Sequence, residues 1–390
     1  MVTAADPEVT LELVRPILLS HWYAPDEHLV WVGGRIVSWD IALVEVTTSD
    51  GFVGVGEVAQ GIMGAAAVPG VVDALGPYLV GLDAADPAGA GDALRAKTVF
   101  WARGGIARGV IGAVEQALWD ALGKRRSLPA YRLLGDQHQE KIEVYASGGL
   151  GTTTDDIIQW ARKQEAAGLA TVKFRAMQTP ARTIELLGDV VGELAKGTRF
   201  VLDAVQGCAS RPWELDDAIE VGRVAANLGA RWYEEPCHAD DVAGFAHVRQ
   251  RVAVPVSGVE SYTNPFEFER LLEHDGVDIA QPDVAMVGGP RELQRVAASA
   301  QRRGVGVVPH VWGSGVTLMA NLHTALATPG MDLVELCTIP NPLRDELLLS
   351  PLQFDGSSVL APTAVGWGVS VTPDVEARFP YKPGGGHVIA

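Results

Sequence analysis

The sequence predicts an α/β fold, a parallel barrel of the TIM type preceded by a smaller α+β region. Two observations carry this. From about residue 138 onward, short apolar runs alternate with helical patterns, and strands alternating with helices favour a parallel sheet. In addition, seven polar side chains, Lys173, Asp203, Glu234, Glu260, Asp283, His310 and Glu335, each lie at or just after the end of such a run. Their separations of roughly 25 to 30 residues match one strand plus helix in a barrel of about 250 residues. Parallel barrel strands aim their C-terminal ends at one face, so the seven are expected to meet in one pocket.

The elements follow in order. Between Glu8 and Gly56, runs such as Ile41-Ala-Leu-Val-Glu-Val46 followed by Ser49-Asp-Gly51 read as antiparallel strands joined by a turn. Gly51, Gly54 and Gly56 read there as turn and strand-end residues and not as a dinucleotide loop. Gly105 to Gly123 reads as a helix, with Ile111, Val114, Leu118 and Leu122 at helical intervals. The eight barrel strands are expected at Ile142 to Ala146, Thr171 to Arg175, Phe200 to Leu202, Arg231 to Tyr233, Val254 to Val256, Val277 to Ala280, Val305 to Val308 and Leu333 to Val334. Helices are expected between them, for example Asp155 to Ala167, capped by Thr154 or Asp155, and Pro180 to Lys196, stopped by Gly197. This divides the chain into an α+β domain over 1–137, a barrel over 138–349 and a loop-rich tail over 350–390 that packs with the cap, outside the barrel.

Composition bounds the function. A hydrophobic share of 47% supports a sizeable core. The net charge of -17 repels phosphate backbones and anionic lipid headgroups, so neither nucleic acid nor membrane is an expected partner. Cys208, Cys237 and Cys337 are odd in number and lack CxxC spacing, which argues against a disulfide framework or a zinc site and makes the cytoplasm the default compartment. The apolar stretch from Gly61 to Leu82 is interrupted by Pro69, Asp73 and Pro77, so membrane insertion is not expected.

The chemistry rests on residue types at strand ends. Asp203, Glu234 and Glu260 follow three consecutive strands, and three converging carboxylates need a cation to offset their repulsion. Mg²⁺, a hard ion with about six oxygen ligands, is the natural candidate. Lys173 and Arg175 are two apart on one strand and share a face; the lysine can bind a carboxylate, or exchange a proton if burial lowers its pKa. The guanidinium of Arg175 stays protonated and suits an anion clamp. Asp283, one strand earlier, is placed to orient His310 as a general base or acid. Glu335 is expected to donate a hydrogen bond if burial keeps it protonated.

These motifs resemble the enolase superfamily, specifically its mandelate racemase-like subgroup. The resemblance runs from the helix Ala113-Val-Glu-Gln-Ala-Leu-Trp-Asp120, through Gly123-Lys-Arg-Arg-Ser-Leu-Pro-Ala-Tyr-Arg-Leu-Leu-Gly135, to Glu335. Val172-Lys-Phe-Arg175 is similar to its lysine-x-lysine strand, while Trp232-Tyr-Glu-Glu-Pro236 and Val256-Ser-Gly-Val-Glu260 are similar to its metal-ligand strands. Pro282-Asp283 and Pro309-His310 are similar to its aspartate-histidine dyad. The resemblance implies a modified TIM barrel, (β/α)7β, under an α+β cap built from both termini, in a homo-oligomer. It also implies Mg²⁺ on Asp203, Glu234 and Glu260, and abstraction of the proton α to a carboxylate through an enediolate.

Two departures shape the expected activity. Arg175 replaces the second lysine, often a base, and Val205 stands where an asparagine often follows the first metal ligand. With His310 as the one competent base, the expectation is an Mg²⁺-dependent dehydratase that converts an aldonate or aldarate, a small-molecule carboxylate, to a 2-keto-3-deoxy acid. Lys173 and Arg175 would hold the carboxylate and Glu335 would assist. A cap loop, His21, Trp22 and Tyr23 onward to Trp31, would read the distal hydroxyls. The alternatives are an epimerase or racemase using Lys173 and His310, a sugar-lactone cycloisomerase, and a non-catalytic acid-sugar-binding barrel.

Overall fold

A computed structural model describes residues 9–31 and 34–389 of the chain. The cap begins with five strands, β1 (Leu11–Trp22), β2 (Leu29–Trp31), β3 (Gly34–Ile36), β4 (Ser38–Thr48) and β5 (Val53–Val58). β1, β4 and β5 form an antiparallel sheet whose β4–β5 turn passes through Gly51 at φ +86°. Three helices cover it: α1 (Val68–Leu79), α2 (Pro87–Lys97) and α3 (Gly105–Arg126). Ile111, Val114 and Leu118 of α3 are fully buried in the cap core, each contributing on the order of 1.5–3 kcal/mol by leaving water.

Gly54 and Gly56 have a use that the turn reading missed. A Cβ on either would sit 1.9 Å from the Ala117 carbonyl oxygen or 2.1 Å from that of Ala113. Only glycine lets α3 lie this close to β5. The helix also outruns its expected stop at Gly123, ending at Arg126 with Ser127 left-handed at φ 55°. The segment Gly61–Leu79 is long and apolar enough by composition to cross a bilayer. Here it is broken into three short helical pieces, and Val68, Val72, Leu75 and Leu79 of the last one are buried in the cap core.

Eight parallel strands follow: β6 (Lys141–Ser147), β7 (Thr171–Arg175), β8 (Arg199–Asp203), β9 (Tyr233–Glu234), β10 (Val256–Gly258), β11 (Ile279–Ala280), β12 (Gly306–Val307) and β13 (Leu333–Cys337). Each of β6 to β11 pairs with the next, and β13 pairs with β6. Seven long helices intervene, α4 (Thr154–Ala166), α5 (Pro180–Glu193), α6 (Leu215–Asn227), α7 (Val242–Arg249), α8 (Pro265–Glu273), α9 (Pro290–Arg302) and α10 (Gly315–Leu326), besides a single turn at Val284–Val287. This is the (β/α)7β barrel, with Tyr145, Val201, Trp232, Val308 and Leu333 forming a buried cluster of their own.

Boundaries differ from expectation where capping decides them. Thr153, and neither Thr154 nor Asp155, caps α4, because its extended backbone lets the side chain accept from Asp156 N in a reciprocal capping box. Helix α5 ends at Glu193, three residues before Lys196, as Leu194 turns extended. The tail is more ordered than its composition suggests, and part of it joins the barrel sheet. β14 (Phe354–Asp355) and β15 (Ser358–Leu360) form a hairpin that lies antiparallel to β6. Trp367 then docks on α3, where its Nε1 donates to Gln116 O and its backbone N to Asp120 Oδ1. Last, β16 (His387–Ile389) joins β3 in a small cap sheet. All three cysteines are free.

Candidate active site

Strands β7 to β13 carry the polar side chains to one end of the barrel because each acid, base or cation sits at a strand's last residues or just beyond. Lys173 lies at the centre, fully buried. Its Nζ is 2.5 Å from Glu234 Oε1, 3.1 Å from Glu335 Oε1 and 3.4 Å from Asp203 Oδ2. Burial alone would drive the proton off, but these three carboxylates outweigh it and hold the lysine pKa well above its ordinary value. Burial therefore does not lower the Lys173 pKa in this arrangement, and the lysine stands as a cation among the three carboxylates.

Glu335 is corrected as well. Burial pushes its carboxyl up, yet Lys173, His310 and hydrogen bonds from Ser147 and Val311 bring it down to about 2. It is ionised and accepts from Val311 N at 2.7 Å, the reverse of the expected donor role. This contact also bridges from the segment after β12 to β13.

His310 and Asp283 form the expected pair, with His310 Nδ1 3.0 Å from Asp283 Oδ2. The other carboxylate oxygen accepts from Asn321 Nδ2 at 2.9 Å and Ala285 N at 2.8 Å, so Asp283 is fixed from two sides. His310 Nε2 points towards Glu260 Oε2 at 3.5 Å. Burial disfavours its charge, but Glu260, Glu335 and Asp283 raise its pKa to about 10.

Arg175 stands at the mouth. Its Nη1 donates to Gly148 O, its Nε is 3.8 Å from Asp203 Oδ2, and its guanidinium lies 4.5 Å from the Trp312 ring centroid. Side-chain exposure rises from zero at Lys173, Glu234 and Glu335 to 12% at Arg175 and 30% at Glu260. The ring is thus most open on the Arg175 and Glu260 side.

Asp203 and Glu234 meet at Lys173, whereas Glu260 faces His310. Among the described residues, no three His, Cys, Asp or Glu groups already form a metal-coordinating cluster. The donor set nevertheless fits a divalent cation. Burial and the neighbouring carboxylates, offset by Lys173, bring Glu234 up to about 7, and the same crowding takes Glu235 well above the carboxylate range. Buried Glu235 Oε1 has no hydrogen-bond partner.

The predicted cap loop is placed differently from the ring. Tyr23 is buried and its hydroxyl donates to Pro340 O at 2.5 Å; His21 packs edge-on against Tyr23 and Phe379. Trp22 is 40% exposed at the end of β1, and the Trp31 side chain lies outside the described residues. The contacts of His21 and Tyr23 join cap to barrel and tail.

Several residues escaped sequence reasoning. Tyr145 lies fully buried beside Lys173 and Glu335, Asn321 holds Asp283, and Trp312 carries Arg175. Glu235 had one signal, its adjacency to Glu234. Three residues beside the acids also have left-handed backbones: Val205 at φ 56°, Glu235 at 47° and Val259 at 69°. For β-branched valine such conformations are outliers, and strain of this kind gathers at functional sites.

Comparison with known proteins agrees with the geometry. Residues 34–135 match the family described as mandelate racemase / muconate lactonizing enzyme, N-terminal domain, and 156–375 match the enolase C-terminal domain-like family. Arabinonate dehydratase of Saccharolobus solfataricus is 29% identical, covering 88% of this chain and 91% of that protein. L-rhamnonate dehydratase of Saccharopolyspora erythraea is 30% identical over 87% and 85%. D-galactarolactone cycloisomerase of Agrobacterium fabrum is 28% identical over 86% and 90%. The crystal structure of 3,6-anhydro-D-galactonate cycloisomerase from Zobellia galactanivorans superposes with a TM-score of 0.85 at 27% identity, over 95% of this chain and all of that one. The chain belongs to the mandelate racemase and muconate lactonizing enzyme family of the enolase superfamily.

Proposed function

We propose that this protein is an Mg²⁺-dependent dehydratase of an acid sugar, an aldonate or aldarate, yielding the 2-keto-3-deoxy acid. The observation that carries the reading is the asymmetry of the ring: it holds one oriented imidazole, His310 on Asp283, and has a guanidinium, Arg175, in place of a second base. A racemase needs a proton acceptor on each face of the α-carbon. An elimination needs one group that takes the α-proton and gives it to the departing hydroxyl.

Asp203, Glu234 and Glu260 would hold the Mg²⁺, with buried Glu235 adding to the negative charge that a cation offsets. Bound there, the ion would supply positive charge for the substrate carboxylate as its α-proton leaves. Arg175, partly exposed at the mouth, clamps the incoming carboxylate, and Lys173 supplies positive charge beneath it. With Glu260 drawn to the cation, the largest of the charges that raise His310 would be offset, and the neutral ring would take the proton at C2 on Nε2 and return it to the C3 hydroxyl, so the C3–O bond breaks and water leaves. Asp283, pinned by Asn321, keeps Nδ1 protonated and Nε2 directed at the substrate. The enol product then tautomerises to the 2-keto acid.

The dehydratase names of two relatives support this reading, and the cycloisomerase names of others support a sugar lactone as the second substrate class to test. The experiment is a screen of five- and six-carbon aldonates, aldarates and their lactones with Mg²⁺ in deuterated buffer. Formation of a 2-keto acid with loss of water is expected. Inversion or exchange at C2 without water loss, or lactone opening alone, would replace the dehydratase reading.

A further inference from the structure

We propose that Trp39 and His387 bind the end of the substrate remote from its carboxylate, and that this wall selects a terminal hydroxyl, an aldonate, over a second carboxylate. The inference rests on the acid-sugar reading above and deepens it. Trp312, which carries Arg175 on one side, stacks on Trp39 at 5.6 Å and 28°. His387 then meets Trp39 edge-on at 6.1 Å. An aromatic wall thus runs from the barrel mouth through cap strand β4 to the C-terminal strand β16.

Two polar atoms on this wall, Trp39 Nε1 and His387 Nε2, are buried without a hydrogen-bond partner among the described residues. Buried polar groups are nearly always paired, and neighbouring exceptions beside a binding site call for a ligand group. An indole N–H can only donate, while a neutral imidazole nitrogen donates or accepts with its tautomer. A hydroxyl, which does both, satisfies the pair. Burial and the nearby Arg175 charge take the His387 pKa down to about 4, so the ring is neutral and gives no countercharge to a second carboxylate.

The tail is built to deliver His387 there. A Cβ on Gly385 would lie 2.1 Å from Ser38 Oγ and 2.8 Å from the Trp22 ring. Gly386, at φ +87°, donates its N–H to Ser38 Oγ and accepts from Val37 N at 3.1 Å. Only glycine passes through this gap, and the next residue lands beside Trp39.

The test is calorimetric titration of the Mg²⁺-loaded protein with three probes: lactate, which lacks distal hydroxyls, the six-carbon aldonate that wild type binds best, and the matching aldarate. Wild type is expected to prefer the aldonate over both. His387→Phe, which keeps ring size, should lower aldonate affinity about tenfold, one neutral hydrogen bond, and leave lactate unchanged. Trp39→Phe should do the same, and His387→Gln, which keeps a polar group, should retain most of the preference. A preference that survives in both phenylalanine variants, or an aldarate that binds more tightly than the aldonate, overturns the inference while leaving the acid-sugar reading intact. If wild type binds none of the three, that reading falls and this one with it.

Discussion

Glu57, near the end of cap strand β5, reaches into the barrel and accepts from Ser314: Oε2 from the hydroxyl at 2.5 Å and Oε1 from the backbone N at 3.0 Å. Thr317 N adds a further bond at 3.0 Å. The carboxylate therefore caps the first turn of α10, four residues after His310, with help from the helix dipole. Nearby, Ala59 N donates to Ala285 O, two residues after Asp283. The cap holds both loops that carry the dyad.

Glu57→Gln is expected to cost about 1–3 kcal/mol, because an amide NH₂ would be turned against donors that now meet a carboxylate. The denaturant midpoint checks the stability. Turnover should fall further than substrate affinity, since it is His310 that loses its footing; equal retention of both would show that the loop is held without Glu57.

Val205 occupies a left-handed turn at φ 56°, with its N–H donating to Asp203 Oδ1 at 2.9 Å. Valine pays for that conformation through its branched Cβ, while asparagine visits it readily. Val205→Asn should raise stability by about 1 kcal/mol, read as a higher urea midpoint with an unchanged slope. A lower midpoint would mean that the valine side chain contributes more in its surroundings than its backbone strain costs.

The sequence revealed the ring because strand ends repeat at a fixed interval and because acids there are conspicuous against apolar runs. Asp203, Asp283 and His310 were legible for that reason. The charge state of Glu335 was not, since it depends on through-space neighbours: Glu335 is held ionised by Lys173, which arrives from a different strand. Asn321 and Glu57 were hidden for a related reason. Each sits within a regular element and acts on a residue tens or hundreds of positions away. The tail misled by composition, because Gly384-Gly385-Gly386 reads as loose linker when considered alone and as a close fit once Ser38 and Trp22 are beside it.

A divalent cation bound by Asp203, Glu234 and Glu260 should stabilise the fold through mass action, by about 2.7 kcal/mol at a hundredfold excess over its dissociation constant. Adding Mg²⁺ to protein stripped with EDTA is expected to raise the thermal midpoint, and Glu260→Gln to abolish most of that rise. Glu260 is the proposed ligand to change, because it is the most exposed of the three and is not an ion-pair partner of Lys173. An identical rise in the variant would place the ion elsewhere.

Acid sensitivity should trace in part to His323. Tyr131 N donates to its Nδ1 at 3.1 Å within the buried face of α10, and burial lowers the ring's pKa from 6.5 to about 3. The unfolded chain takes up this proton below about pH 6.5, whereas the folded chain does so only near pH 3. Stability from the neutral ring is thus complete above pH 6.5 and is lost as the pH falls towards 3, at about 1.4 kcal/mol per pH step. From pH 7 to pH 5 the loss is about 2 kcal/mol. His387, with its own pKa near 4, acts in the same direction, so the test is a difference. Urea midpoints at the two pH values should converge more in His323→Asn than in wild type, even though the variant starts lower at pH 7. An unchanged gap would mean that the imidazole gains its proton without opening the fold.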